Sequence, residues 1–283
     1  MNNTGTNEPK KSTKMFVNGV LILTISNILV KTIGLLFKIP LHDYLGDEGM
    51  GYFNAAYTIY TWFYMISTAG LPIAMSVLVS KSRAKGNFNQ VKKILRLSLW
   101  LFFIVGSVGM LILALGSGMF AALIKVERAH LCILAIAPTL FFVCLTSAYR
   151  GYFQGHQIMW PTAVSQLLES VGKLVLGILF ASWSISRGDP LYVTAAYTIL
   201  GITIGVFCGM VFIWITKLLY NTDAVNAEYA LPDSYTMPTE RTKTLLKELV
   251  VIAIPVTLSS SVMSLANLVD LMVVSRRLQA SGL

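Results

Sequence analysis

Residues 17–41 read VNGVLILTISNILVKTIGLLFKIPL, an apolar stretch longer than the about 20 residues a bilayer crossing needs, with Lys31 near its middle and Lys38 near its end. A run of this length selects an α-helix. Lipid offers no partner for exposed backbone groups, and the strands of a closed barrel would show short alternating segments instead. An ammonium at bilayer depth costs roughly 2.5–3.5 kcal/mol on insertion scales, so such a residue faces a bundle interior or an aqueous cavity and marks a substrate or ion path. This one helix therefore bears on both fold and function.

Outward from it, the same pattern recurs. Spans are predicted at residues 15–40, 52–80, 92–117, 130–149, 161–183, 191–219 and 247–275. With 55% hydrophobic and 12% charged residues, the chain is far more apolar than a soluble domain, where about 25% of residues are charged. The class is an all-α polytopic membrane protein. A net charge of +9 raises the question of nucleic acid, but the charge sits at membrane edges. With the N-terminus in the cytoplasm, fourteen Lys or Arg fall inside and five outside, with three inside spans, as the positive-inside rule demands. The basic stretch 81–96 is then an inner loop beside anionic lipid. The first span is too long for a cleavable signal and lacks a small-residue cleavage site.

The layout suggests four parts: a disordered cytoplasmic N-terminus (1–14), a six-helix lobe (15–219), a cytoplasmic linker (220–246) and the first helix of a second lobe (247–283), so that the chain reads as a partial length of a two-lobe transporter. Residues 42–51 are acidic and glycine-rich and suit a tight outer reversal, and Ser67 to Pro72 is a hinge candidate. Cys132, Cys144 and Cys208 read as small core hydrophobes, and His42, His130 and His156 as solvated loop residues. No cofactor or metal is called for.

Residues three, four or seven apart share a helix face. Asn27, Lys31, Gly34 and Lys38 make one stripe, in which the glycine leaves room between two ammonium groups for a bulky anion, although Lys38 is near enough to the end to snorkel. The fifth span carries Glu169 and Lys173 at i,i+4, an ion pair that either neutralises two costly charges or exchanges with a coupling cation. The seventh adds Ser260, Ser264, Asn267 and Asp270 on a polar stripe. Arg150, in the run from Tyr149 to Gly155, is placed at the inner rim to meet lipid phosphate or guide a phosphate-bearing substrate. Lys31, Lys38 and Lys173 against Glu169 and Asp270 leave a cationic set, which favours an anion. Nothing resembles a phosphate-cradling glycine loop, a zinc-protease helix or a nucleophile beside its base, so transport is favoured over catalysis.

Particular strings then become recognisable. LVKTIGLLFKIP (29–40), STAGLP (67–72), RGYFQG (150–155) and PTAVSQ (161–166) resemble the branch of the polysaccharide transporters that holds stage V sporulation protein B and the MurJ-like lipid II flippases, within the multidrug/oligosaccharidyl-lipid/polysaccharide exporter superfamily. The resemblance implies a two-lobe fold around a central cavity, with export of an undecaprenyl diphosphate-linked precursor by alternating access across the bacterial plasma membrane. It also implies that the first-helix cations, here Lys31 and Lys38, engage the diphosphate. Both are lysine where arginine is common, which replaces a bidentate fork by point charges. Two other readings remain open: a cation-coupled multidrug antiporter using Glu169 and Asp270, and a non-transporting scaffold bound to cell-wall synthesis proteins.

Overall fold

The computed structural model describes residues 8–220 and 237–280, with side chains described from residue 17 onward except at several positions beyond 262. Among them every regular element is a helix: α1 (Glu8–Thr68), α2 (Leu71–Ala84), α3 (Phe88–Leu115), α4 (Ser117–Leu123), a 3-10 turn (Glu127–Ala129), α5 (His130–Gly155), α6 (Trp160–Ser186), α7 (Leu191–Leu219) and α8 (Thr242–Ala280). The linker expected over 220–246 lies mostly outside the described residues. Residues 8–14, expected to be disordered, continue α1 instead, because extending an existing helix adds a hydrogen bond per residue without a new nucleation cost.

α1 is a hairpin. Gly46 alone leaves helical geometry, with φ 58° and ψ −171°, a left-handed φ that glycine adopts without steric penalty. The rings of Phe37 and Phe53 approach to 6.3 Å between centroids, whereas a straight helix would hold them about 24 Å apart. The outer reversal predicted over 42–51 thus shrinks to a kink at one residue. Six stretches are long and apolar enough to cross a membrane, and the first, Val17–Ala84, holds both arms of the hairpin. The seven predicted spans are recovered in this way.

The second arm stops at Thr68, where the hinge was expected, and α2 restarts with Pro72 in its first turn. The predicted inner loop of residues 81–96 is mostly helical: three residues join α2 to α3, and the Asn87 side chain accepts from the Gln90 N–H at 2.9 Å to cap α3. That turn also fastens the entry of α8. Asn87 Nδ2 donates to the Pro238 carbonyl at 3.0 Å, Lys93 Nζ donates to the Glu240 carbonyl at 2.6 Å, and Lys81 lies 3.7 Å from Glu248.

Two cores fill the lobe. Toward Gly46 lie Phe37, Leu41, Leu45, Phe53, Ile133 and Ile136; toward the opposite end lie Met75, Val79, Ile94, Phe102, Phe153 and Leu249. α6 and α7 are packed backbone to backbone at Gly172 and Gly205, where a Cβ on Gly205 would come within 2.8 Å of main-chain atoms of α6. Small residues permit that approach in lipid, where dispersion replaces the hydrophobic drive. Cys132 and Cys144 are buried as expected, but Cys208 is exposed on the outer surface. His156, expected in a solvated loop, is buried: α5 runs to Gly155, and its ring nitrogen Nδ1 lies 2.9 Å from the Tyr152 carbonyl.

Candidate functional site

Between the two cores, at mid-length of α1, α5, α6 and α7, lies a cavity of about 380 Å³. The second arm of α1 supplies Tyr57, Tyr60 and Tyr64, α6 supplies Glu169, Ser170 and Lys173, α5 supplies Thr139 and Val143, α7 supplies Ile202 and Val206, and the first arm contributes Val30 and Gly34. One wall is aromatic. Phe53 stacks on Tyr57 at 5.7 Å, and Tyr57, Tyr60 and Tyr64 follow at 5.8 Å intervals, because positions three or four apart on a helix fall on one face.

Lys173 is the cation of this cavity. Its Nζ donates to the Tyr57 hydroxyl at 3.3 Å and lies over the rings of Tyr57 and Phe37, 4.7 and 5.2 Å from their centroids. Aromatic faces attract an ammonium without neutralising it. The i,i+4 ion pair with Glu169 is not formed. Glu169 Oε1 instead accepts from Arg150 Nη2 at 2.8 Å, and Arg150 Nε donates to Ser165 Oγ at 3.0 Å. The physical reason is that a planar guanidinium reaches two acceptors one helical turn apart, a geometry a flexible ammonium does not match. Arg150, expected at the inner rim to meet lipid phosphate, is 9% exposed inside the lobe and already paired with α6. Among the described residues no carboxylate pairs with Lys173.

The first-helix stripe divides. Ser26, Phe37 and Leu41 form the buried face of the first arm, and Ser26 Oγ donates to the Ala163 carbonyl of α6 at 3.1 Å. Gly34 turns to the cavity, while Asn27, Lys31 and Lys38 are exposed on the surface the lobe leaves uncovered. Asp270 is also exposed, on α8, and the side chains of Ser264 and Asn267 lie outside the described residues. The structure thus brings together Glu169, Lys173 and Arg150 and leaves the first-helix lysines on a separate face. The tyrosine wall was not anticipated. Its i, i+3, i+7 spacing was visible in residues 57–64, but tyrosines at that spacing are equally at home in a packed core.

Residues 16–282 match a family model described as polysaccharide biosynthesis protein. The lipid II flippase MurJ of Bacillus subtilis strain 168 is 30% identical over 210 residues, which is 70% of this chain and 38% of that protein. The stage V sporulation protein B of the same organism is 31% identical over 162 residues, 57% of this chain and 31% of its own length. Among solved structures, a multidrug resistance MATE family transporter of the MOP superfamily in an outward-facing conformation superimposes with a TM-score of 0.66 at 18% identity, over 88% of this chain and 54% of that one. The chain spans about half, or less, of the length of each of these proteins.

Proposed function

The chain belongs to the polysaccharide biosynthesis protein family, and we propose that it forms one lobe of a flippase carrying a lipid-linked diphosphate saccharide, of the undecaprenyl peptidoglycan or polysaccharide precursor class, across the plasma membrane by alternating access. The observation that carries this reading is the state of Lys173: an ammonium at mid-length of α6, held by aromatic faces and, among the described residues, by no carboxylate, beside a cavity. An ionisable group within a span usually faces a cavity and marks a substrate or ion path, and the positive sign here suits an anion. Lys31 and Lys38 are exposed on the first arm and would add to the cationic surface if a second lobe closed over that face. The tyrosine wall suits a sugar, since aromatic faces and phenolic hydroxyls meet the apolar and polar edges of a pyranose ring. Anionic lipids are the natural neighbours of the basic end of the lobe, which we place in the cytoplasm together with the N-terminus.

The cation-coupled antiporter fits the fold but draws less support from the charges, because the Glu169 carboxylate is occupied by a guanidinium. Complementation of a flippase-deficient bacterial strain by the full-length protein tests the proposal. Lys173→Gln and Lys31→Ala are each expected to abolish growth at unchanged membrane abundance by immunoblot. Growth at the wild-type rate with both substitutions would refute it.

A further inference from the structure

Glu169 has two cations within reach: Lys173, one turn along its own helix, and Arg150, on α5. Had it turned to Lys173, the ammonium that lines the cavity would be paired, and the remaining positive charge would sit on Arg150, outside the cavity lining. Two features hold it the other way. Arg150 bridges Ser165 and Glu169, with Ser165 Oγ in turn donating to the Thr162 carbonyl at 2.8 Å, so the guanidinium is seated across a full turn of α6. From the other side α7 presents bare backbone at Gly209, where a Cβ would come within 2.5 Å of Glu169 Cγ. The carboxylate is thus seated against α5 and α7, while Lys173 faces the α1 aromatics.

We propose that Arg150 is a positioning residue that keeps the cavity selective for anions by holding Glu169 off Lys173. It need not touch the substrate itself. This inference rests on the proposed role of Lys173 as an anion contact, but its central claim, the sorting of charges, is testable without a substrate. The other ionisable groups around the pair are the phenols of Tyr57, Tyr60 and Tyr64 on α1 and the thiol of Cys144 on α5; α7 contributes none at this level.

The first readout is NMR of the full-length protein carrying ¹³C-dimethylated lysines, with the Lys173 signal assigned by its loss in Lys173→Arg. At fixed neutral pH the Lys173 signal of Arg150→Gln is expected to move away from its wild-type position as freed Glu169 turns to the ammonium, and that of Arg150→Gln/Glu169→Gln to return toward it. An Arg150→Gln signal at the wild-type position overturns the proposal. The second readout is binding of undecaprenyl diphosphate in detergent, measured on folded, monodisperse protein. Arg150→Gln is expected to bind more weakly than the wild type at neutral pH, by about tenfold or more, and the double variant to regain most of that loss. Equal weakening in the single and double variants would reduce Arg150 to a scaffold and overturn its selective role. If the NMR signature appears but no variant binds the diphosphate, charge sorting stands and the flippase reading falls.

Discussion

Among the described residues Lys173 is held by ring faces and the Tyr57 hydroxyl rather than by a counter-ion. A cation–π contact is worth about 0.5 to 2 kcal/mol depending on desolvation, enough to hold the ammonium in place without neutralising its charge. Tyr57→Leu removes one ring face and the hydroxyl acceptor at 3.3 Å. Binding of undecaprenyl diphosphate is expected to weaken roughly two- to thirty-fold, read by titration against intrinsic fluorescence. An unchanged dissociation constant would remove the aromatic clamp from the account. The Arg150–Glu169 contact has a different weight. Both side chains are largely buried, at 11% and 17% exposure, so removing one partner strands the other and is expected to cost several kcal/mol, whereas removing both is far milder.

At the level of elements, three joints shape the lobe: the kink at Gly46, the break before α2 and the glycine contact between α6 and α7. Each can be tested by adding atoms. Gly46 has open space around its Cβ position but a φ of 58° with ψ −171°, a region essentially confined to glycine, so Gly46→Ala is expected to cost about 1–3 kcal/mol from backbone strain alone. Gly205→Val meets the main chain of α6 and is expected to destabilise by about 1–3 kcal/mol through overpacking. Gly118, with nothing within 4 Å of a Cβ, is the control, and Gly118→Ala is expected to leave stability within about 1 kcal/mol of the wild type. Thermal unfolding in detergent reads all three, and a Gly205→Val variant as stable as the control would deny the close packing its importance.

For the whole molecule, the ends of the helices sort by charge. Lys81, Lys85, Lys93, Arg241 and Lys247 gather where α2, α3 and α8 are fastened together, while the Gly46 kink, with Asp43, Asp47 and Glu48, lies at the far end. By the positive-inside rule we propose that the first end faces the cytoplasm. In a background with Cys208 replaced by serine, Lys85→Cys is expected to react with an impermeant maleimide only after the membrane is opened, and Asp47→Cys in intact cells. The reverse pattern would invert the topology.

Length and hydropathy alone determined the class, the number of crossings and the reversal near Gly46, because in lipid every backbone group must be satisfied within a helix and a glycine in an acidic turn marks where the chain leaves it. Lys173 was also legible as a charge worth notice, from the cost of a lysine within an apolar run. Which charges meet was not. At i,i+4 Glu169 and Lys173 share a helix face, and no local rule reveals that Arg150, nineteen positions earlier, arrives from a neighbouring helix with a better fork. The facing of Lys31 was equally hidden, since a helix stripe has a direction only once its neighbours are packed. Partner choice among buried charges is a competition between helices, settled by the tertiary structure.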